Sequence, residues 1–458
     1  MDFYPQGSVI ENKAQLIEYL ISGCKSPENF RLGAEQEWFL YKDSDYQPAF
    51  YDESEPCIKT LLEGMSRLGW QAIEENGNIV ALSRGTCGIT LEPGGQFEFV
   101  GSALQNAHQT KAEIQAFCTE LGSLADELRL SFLAIGHQPK HSRSEIPWMP
   151  KARYQVMKSY MPSRGDLGLD MMQRTCATQV TADFSDEADM VKKFRVGLAL
   201  QPIVVALFAN SPFKDGRVGE YLSHRDAVWS DTDPDRCGSL PFVFQDGMGF
   251  ERYVDWMLDV PMYFVIRNRK FIDASGLSFR DFMEGRLSVL PGQLPTLSDW
   301  VDHLSTVFPQ VRLKHFLELR GADSGDAVNR LPALVSLWAG LLYDSQSLDA
   351  AWDRIQEWTV DERVELESNV ARGGLATPFR TGTVKDLAHW ILQLSRDGLE
   401  RRGIRDESGA TESHYLQPLQ QVVDSGQTVA DALIHSFSTR WCKNMDIALP
   451  AMCKETFS

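Results

Sequence analysis

Carboxylates and amides recur two residues apart inside apolar, strand-like segments of this chain. Glu35 and Glu37 lie in GAEQEWFL, and Gln96 and Glu98 repeat the spacing in LEPGGQFEF. Successive side chains of a β-strand point to opposite faces, so the members of each pair share one face. Like charges side by side on a sheet repel each other unless solvent or cations intervene. An exposed acidic edge would explain any single pair, but the repeated pattern predicts a sheet with an acidic face.

Further polar side chains extend this pattern. Gln179 lies among apolar residues of a strand-like segment, and Glu318 and Arg320 repeat the spacing in LELRGAD. Glu92 and Glu98 lie on either side of a proline and two glycines, which predict a turn between them. Oxygen ligands that converge from several strands suit Mg²⁺, which prefers octahedral oxygen coordination. Zinc fits poorly, because neither histidine nor cysteine clusters in these segments.

The charge balance limits the partners. The 458 residues include 45 Lys plus Arg and 63 Asp plus Glu, which gives a formal net charge of −18. Such a field repels phosphate backbones and anionic lipid, so we expect no nucleic acid and no membrane partner. The P-loop, Rossmann, HExxH and GxSxG motifs are absent, which argues against nucleotide binding through a P-loop or a Rossmann turn.

An anion can bind to such an acidic chain only where local cations reverse the field. Arg153, Arg174, Arg225 and Arg320 lie in strand-adjacent segments or in segments punctuated by Gly and Pro. Arginine is suited to bidentate contact with a carboxylate or a phosphate. Together with the acidic positions, these arginines predict a Mg²⁺-dependent enzyme that acts on phosphate and carboxylate groups.

The cysteines and the hydropathy pattern favour a cytoplasmic location. The eight cysteines are scattered and contain no CxxC pair, so reduced thiols are the simplest interpretation. The first 15 residues are polar and acidic, and no later stretch has about 18 uninterrupted apolar residues. We therefore expect a cytoplasmic protein without a membrane span.

The order of the predicted elements favours an α+β fold. Helical patterns cover 11–23, 106–130 and 186–210, where Pro202 predicts a kink, and they dominate from about 329 onward; strand patterns cover 31–40, 78–83, 132–138, 174–184, 261–268 and 312–323. Strands that mostly do not alternate with helices indicate a largely antiparallel sheet. We expect a single catalytic domain over 1–458, with the sheet and active site in about 30–325 and a mostly helical part in about 326–458.

Seven longer stretches carry a resemblance to a known family. They are LEPGGQFEF, MPKARYQVMKSYMP, LGLDMMQRTCATQV, KFRVGLALQPIVVALFANSPF, WSDTDPDR, FRDFMEGRLSVLPGQLP and LELRGAD. These stretches resemble glutamate–cysteine ligases of the plant and proteobacterial type, and the likeness runs from about residue 30 to 405. The resemblance implies a glutamine-synthetase-like fold, in which a curved, largely antiparallel sheet forms a bowl-shaped active site with helices packed outside.

The resemblance also implies a reaction. It is the ligation of glutamate to cysteine with ATP and more than one Mg²⁺ ion, through an acyl phosphate, which gives γ-glutamylcysteine in the first step of glutathione synthesis. Feedback inhibition by glutathione and a monomeric or homodimeric state are implied as well. A related ligase with a different amine acceptor and a non-catalytic nucleotide-binding relative are the alternatives.

The resemblance assigns roles to individual residues. Metal positions are implied at Glu35, Glu37, Glu92, Glu98, Gln179 and Glu318. Arg320 would face the transferred phosphoryl group as the catalytic residue. Substrate positions are implied at Arg153 and Arg225 for the α-carboxylate side of glutamate, at Thr178 and Trp229 for the walls of that pocket, and at Arg174 for substrate contact or support.

The chain departs from the plant members at a regulatory cysteine pair. Ala274 and Val289 stand at the two places, so that disulfide cannot form and its redox control is not expected here. Cys176 lies next to the implied site, and we interpret it as a small buried hydrophobe.

Overall fold

The computed structural model describes residues 7–53 and 55–456. The predicted domain of 1–458 therefore includes nine residues, 1–6, 54 and 457–458, that lie outside the described residues. The strands in the described part are β1 (Leu32–Lys42), β2 (Gln71–Glu75), β3 (Asn78–Arg84), β4 (Cys87–Leu91), β5 (Phe97–Val100), β6 (Leu130–Leu133), β7 (Ala177–Ala182), β8 (Phe213–Lys214), β9 (Arg217–Val218), β10 (Cys237–Gly238), β11 (Phe264–Arg267), β12 (Lys270–Asp273), β13 (Phe308–Pro309), β14 (Val311–Leu313), β15 (Leu317–Asp323), β16 (Pro378–Phe379) and β17 (Gly382–Thr383).

The described part of the chain also forms α-helices. They are α1 (Lys13–Ile21), α2 (Ile58–Arg67), α3 (Ala107–Leu128), α4 (Ala152–Tyr160), α5 (Gly168–Arg174), α6 (Glu187–Phe208), α7 (His224–Trp229), α8 (Phe250–Asp259), α9 (Phe279–Met283), α10 (Leu297–Leu304), α11 (Ala327–Leu342), α12 (Ser345–Ile355), α13 (Val360–Gly373), α14 (Val384–Arg402), α15 (Gln417–Ser425), α16 (Val429–Thr439) and α17 (Met445–Lys454).

One large sheet organises the molecule. Its strands follow the order β14-β15-β7-β1-β5-β4-β3-β2, and β6 pairs with the far end of β1. Every strand pair in this sheet is antiparallel. The predicted α+β class with an antiparallel sheet is thereby confirmed.

The two faces of the sheet differ as the alternation in the sequence predicts. Phe97 and Phe99 of β5 are buried, and Phe99 stacks on Phe117 of α3 with ring centroids 4.1 Å apart. Leu319 of β15 and Gly197 of α6 lie on this same side, since a Cβ on Gly197 would meet the Leu319 side chain at 3.2 Å. Long helices therefore cover the apolar face, and the carboxylates between these apolar residues point to the other face.

Two helices carry an internal proline. α6 runs through Pro202 without ending there, and α11 runs through Pro332. Both helices are buried along most of their length, so tertiary packing supports them where a proline removes a backbone hydrogen bond. Helices dominate from Ala327 onward, close to the predicted boundary at 329.

Several predicted strands are shorter than expected. The stretch 174–184 contains a strand only at 177–182, because Arg174 ends α5. The stretch 312–323 is a hairpin of β14 and β15, and the segment 261–268 contributes β11 to a separate two-stranded sheet with β12. In each case an apolar run predicted a single strand, and the tertiary packing divides it or ends it early. Among the described residues, no helix is long and apolar enough to cross a membrane.

Candidate active site

The predicted carboxylates meet on the face of the sheet opposite α3. In the register of β1 and β5, Glu37 lies directly across from Glu98. Glu35 lies directly across from Gln179 in the register of β1 and β7. Glu37 and Glu98 are only 8% and 7% exposed, so two like charges face each other with little solvent between them.

Burial and repulsion shift the protonation of this acidic face. Burial, together with Glu92, raises the pKa of Glu37 to about 8. Burial, together with Glu318, raises the pKa of Glu35 to about 7. The pKa of Glu98 lies well above its usual range for the same reason, with Glu35 as its strongest charged neighbour. Protons or cations must therefore relieve this repulsion at neutral pH.

The segment LEPGGQ forms the turn that brings Glu92 to the same face. The amide of Glu92 donates to the carbonyl of Gln96 at 2.9 Å, and Gly95 takes a left-handed conformation with φ of +84°. The side chain of Gln96 does not join the carboxylates. Its amide nitrogen donates to the carbonyls of Met172 and Thr175, which ties the turn to the segment before β7.

Lys151 fixes this turn from the other side. Its ammonium donates to the carbonyl of Leu91 at 2.7 Å and to the hydroxyl of Thr90 at 2.6 Å. Burial lowers the pKa of Lys151 to about 8, although the Glu92 carboxylate opposes that effect. The sequence analysis did not predict a role for Lys151. Its position two residues before Arg153 in MPKARYQ could have indicated one.

Glu318 differs from the other acidic residues, because cations surround it. Nε of Arg312 donates to Glu318 Oε2 at 2.5 Å, and Nη1 of Arg320 lies 3.3 Å from the same oxygen. Burial opposes ionisation, but Arg312, Lys314 and Arg320 outweigh it and hold the pKa of Glu318 well below its usual range. Arg312 and Lys314 were also missed, although they are two residues apart in a strand-like segment like the acidic pairs.

A β-bulge aims Arg320 at the acidic face. The register of β15 on β7 shifts between Leu319 and Ala322, so the segment containing Arg320 and Gly321 carries one extra residue. Nη1 of Arg320 donates to Gln179 Oε1 at 2.6 Å. The predicted catalytic residue and two predicted metal positions, Gln179 and Glu318, are therefore in direct contact.

Arg225 and Trp229 lie beside Arg320. The Arg225 guanidinium donates to the carbonyl of Arg320 at 2.8 Å. The guanidinium carbons of Arg225 and Arg320 lie 6.0 and 5.9 Å from the centre of the Trp229 ring. Within the described residues, Nε of Arg225 and Nε1 of Trp229 are buried without a hydrogen-bond partner. Buried donors without a partner are uncommon in native proteins, so these two atoms could serve a ligand.

The other predicted substrate residues have different environments. Arg153 packs over Phe264, and its Nε is buried without a partner among the described residues. Arg174 is instead bound by Asp170 at 3.0 Å and by Asp215 at 2.6 Å, so its guanidinium is engaged within the protein. Thr178 points to the opposite face of the sheet, where its hydroxyl donates to Gln36 at 2.8 Å. The structure therefore does not bring Thr178 to the acidic face, because strand alternation assigns that side to its neighbour Gln179.

The cysteines are unpaired. All eight lie within the described residues, and none of them forms a disulfide. Cys176 is fully buried next to β7, and burial raises the pKa of its thiol well above the usual range. It is therefore an inert buried side chain in this structure.

This fold and site define the class of the protein. The antiparallel sheet, with one acidic face and helices on the other, has the glutamine-synthetase-like architecture that the resemblance implies. Residues 31–446 match the model of the glutamate-cysteine ligase family 2 (GCS2), and the chain belongs to that family. Its function is accordingly that of a glutamate–cysteine ligase, which catalyses the first step of glutathione synthesis.

Individual relatives agree with this assignment. Glutamate–cysteine ligase B, chloroplastic, from Oryza sativa subsp. japonica is 51% identical over 435 residues, which cover 95% of this chain and 86% of the relative. The chloroplastic enzyme from Arabidopsis thaliana is 48% identical and is covered to 81%. A crystal structure of a glutamate–cysteine ligase from Francisella tularensis in complex with AMP superimposes with a TM-score of 0.57 at 14% identity, over 95% of this chain and 90% of that one. That similarity shows a shared fold.

The predicted cytoplasmic location is wrong by this comparison. The similar plant ligases are all named as chloroplastic enzymes. The prediction relied on scattered cysteines and on the lack of a long apolar stretch. Those features do not distinguish one reducing compartment from another.

Proposed function

We propose that the chain joins the γ-carboxylate of glutamate to the amine of cysteine, with ATP and Mg²⁺, through an acyl phosphate. The observation that carries this proposal is the acidic face itself, where buried and mutually repelled carboxylates lie beside Arg320. An enzyme that transfers a phosphoryl group between two anions needs this combination of metal ligands and fixed cations.

The donor set fits Mg²⁺. The residues proposed to hold the ions all offer oxygen atoms, and they are Glu35, Glu37, Glu92, Glu98, Gln179 and Glu318. Hard oxygen ligands of this kind suit Mg²⁺, whereas zinc sites use nitrogen and sulfur ligands as well. When bound, the ions would neutralise phosphate oxygens and the accepting carboxylate. The raised pKa values of Glu35 and Glu37 support this role, since a cation would replace the protons that these carboxyls hold.

Arg320 is the proposed catalytic residue. Gln179 and Glu318 hold its guanidinium in place before any substrate binds. A preorganised cation stabilises negative charge on a transferred phosphoryl group without reorganisation during the reaction. In this step a γ-carboxylate oxygen of glutamate bonds to the terminal phosphorus of ATP, and the bond to ADP breaks.

Arg225, Arg153 and Trp229 are the proposed contacts to glutamate. Arg225 and Arg153 each have a buried Nε without a partner among the described residues, and an α-carboxylate would provide one. The Trp229 ring lies about 6 Å from the guanidinium carbons of both Arg225 and Arg320 and would close the side of the pocket. Arg174 has a supporting role, because Asp170 and Asp215 already bind its guanidinium.

The second step forms the amide bond. The cysteine nitrogen attacks the acyl carbon, phosphate leaves, and the nitrogen gives up a proton. The proposed metal ligands and arginines hold the acyl phosphate in place for this attack. The bimolecular reaction then becomes effectively unimolecular within the site.

The test measures both products and the intermediate. Purified protein with ATP, Mg²⁺, glutamate and cysteine should release ADP and γ-glutamylcysteine in equal amounts. Hydroxylamine in place of cysteine should trap the acyl phosphate as γ-glutamyl hydroxamate. ADP release without either product would refute the proposal. Competing amines, compared by kcat/KM in one mixture, would identify a different amine acceptor.

A further inference from the structure

We propose that His108, Asp406 and His414 form a second metal site, which binds a divalent transition-metal ion of the Zn²⁺ class. One ligand atom of each side chain lies within 4.8 Å of the ligand atoms of the other two. His108 belongs to the first turn of α3, whereas Asp406 and His414 lie between α14 and α15. The ion joins the start of α3 to the C-terminal helical part.

Backbone carbonyls fix the tautomers of both imidazoles. Nε2 of His108 lies 3.4 Å from the carbonyl oxygen of Ile404, and Nδ1 of His414 lies 2.7 Å from that of Thr411. A carbonyl oxygen only accepts hydrogen bonds, so these two nitrogens carry the protons. The lone pairs then lie on Nδ1 of His108 and on Nε2 of His414. A metal-binding imidazole requires this arrangement, with its other nitrogen donating to an oxygen.

The carboxylate of Asp406 is oriented in the same way. Its Oδ1 accepts from the backbone nitrogen of Ser408 at 2.9 Å, from the Ser408 hydroxyl at 2.7 Å and from the nitrogen of Ala410 at 3.0 Å. No donor in 7–53 or 55–456 reaches its Oδ2. Each of the three side chains thus has one atom held by the protein and one atom able to bind an ion.

Small movements complete the coordination. Tetrahedral zinc sites have ligand atoms about 3.4 Å apart, so a pair of ligand atoms at the 4.8 Å limit must approach by about 1.4 Å when the ion binds. His414 is exposed, so its ring can tilt about the hydrogen bond from Nδ1 to the Thr411 carbonyl and supply this movement. The hydroxyl of Tyr415 lies 3.2 Å from Nδ1 of His108 and donates to it until the ion binds. A water molecule completes the four ligands.

This site is separate from the acidic face. α3 packs on the apolar side of the sheet through Phe117 and Phe99, whereas Glu98 points to the opposite side. Two imidazole nitrogens and one carboxylate oxygen favour zinc-like ions over Mg²⁺. The ion has a structural role, because it reinforces the contact in which the amide of Ala107 donates to Glu412 at 2.8 Å.

The test measures metal binding by the full-length protein, without substrates. The background carries Cys442→Ser, which removes the exposed thiol, and all proteins are stripped with a chelator. Calorimetric titration with ZnCl₂ and the visible absorption of bound Co²⁺ then report affinity and coordination. We expect His414→Ala to weaken binding at this site at least about tenfold and to remove the tetrahedral Co²⁺ spectrum. His435→Ala, which changes an exposed histidine of α16, is the matched control and should retain both signals.

A second variant, Asp406→Asn, tests whether the loss of binding comes from the ligand atom itself and not from a change in the local structure. Asp406→Asn keeps the acceptor oxygen that closes the local turn but cannot offer a second carboxylate oxygen to an ion. Zn²⁺ should raise the Tm of the parent and of His435→Ala, but not that of Asp406→Asn or His414→Ala. Equal Zn²⁺ affinity in the parent and both site variants, or no Zn²⁺ binding by the parent, would overturn the proposal.

Discussion

At the scale of single residues, the acidic face is held in a state that favours cation binding. Glu37 and Glu98 face each other across β1 and β5 with little access to solvent. Each carboxyl therefore stays protonated to a higher pH than an ordinary glutamate. The reason is that ionisation would place a charge in a buried site next to other carboxylates. The fold preserves this unfavourable pairing, which is the usual sign of a functional site.

The first prediction concerns Glu98→Gln. We expect turnover to fall about 10²- to 10⁴-fold, because one ligand of the proposed ions is lost and their charge stabilisation is worth several kcal/mol. The metal-free variant should be at least as stable as the wild type, since the folded wild type must keep Glu98 protonated against its tendency to ionise, whereas glutamine is neutral in both states. Steady-state kinetics and urea unfolding check both statements. Glu74→Gln on the exposed strand β2 is the control, and a Glu98→Gln enzyme as active as this control would exclude Glu98 from the site.

The second prediction concerns the pH dependence of stability. In the folded protein the pKa of Glu35 is about 7 and that of Glu37 about 8, against 4.5 as the ordinary value. The folded state therefore holds these protons more tightly. The stability that they contribute is complete below about pH 4.5 and is lost as the pH rises through 7 and 8. In EDTA, the free energy of unfolding should fall by roughly 2 kcal/mol or more over this range.

Two comparisons make this pH prediction specific. Glu37→Gln should flatten the fall in the free energy of unfolding, because the group with the higher pKa is gone. Mg²⁺ should stabilise the wild type more at pH 8 than at pH 6, since it competes with fewer protons. Parallel curves for the wild type and Glu37→Gln would contradict the assignment.

At the scale of elements, the turn between β4 and β5 shows how backbone shape serves the site. Gly95 supplies the left-handed conformation, and Lys151 and Gln96 hold the turn through backbone carbonyls. Gly94 packs so closely that an added Cβ would lie 2.5 Å from the carbonyl oxygen of Gln173. A backbone neighbour cannot rotate away, so the turn itself would have to move.

The third prediction uses this close approach. Gly94→Ala should destabilise the protein by about 1–3 kcal/mol, as overpacking does, and it should lower kcat/KM because Glu92 moves with the turn. Gly88→Ala in β4 is the matched control, since its Cβ would meet Val100 at an ordinary 3.7 Å. Urea unfolding and kinetics compare the two variants. Equal behaviour of both alanine variants would show that the turn tolerates displacement.

At the scale of the whole molecule, Asp323 connects the sheet to the segments that carry the arginines. It lies at the end of β15 and is only 1% exposed. Its oxygens accept from the amide of Asn210 at 2.9 Å and from the hydroxyls of Ser211 and Ser223 at 2.6 and 2.8 Å. Ser223 immediately precedes α7, which contains Arg225. The position of Arg225 thus depends on a contact made far away in the sequence.

The fourth prediction follows from that connection. Asp323→Ala should cost about 3 kcal/mol of unfolding free energy, because buried donors lose their acceptor. It should also raise the KM for glutamate, since the proposed contact through Arg225 is displaced. Asp353→Ala on the exposed side of α12 provides the control, and both are measured by urea unfolding and kinetics. An unchanged KM in an Asp323→Ala protein that still folds would separate Arg225 from glutamate binding.

Much of this architecture is readable in the sequence, because alternation along a strand is a local property. The spacing of Glu35 with Glu37 fixes their common face, and the phenylalanines around Glu98 fix the apolar one. The same rule, applied to Arg312 and Lys314, would have found the cations around Glu318. Alternation places Thr178 and Gln179 on opposite faces, but only the register of β7 on β1, which pairs Gln179 with Glu35, decides which of the two reaches the acidic face.

The sequence alone therefore determined that an antiparallel sheet with one acidic face must form. Hydrophobic alternation and like-charge repulsion act between near neighbours in the chain, so no tertiary information was needed. Only the tertiary structure decided which residues meet across the strands. The Glu37–Glu98 pairing, the engagement of Arg174 by two aspartates and the bulge that aims Arg320 all depend on strand register and on contacts between distant segments. Register is set by the packing of the whole sheet on its helices, which no single stretch of sequence encodes.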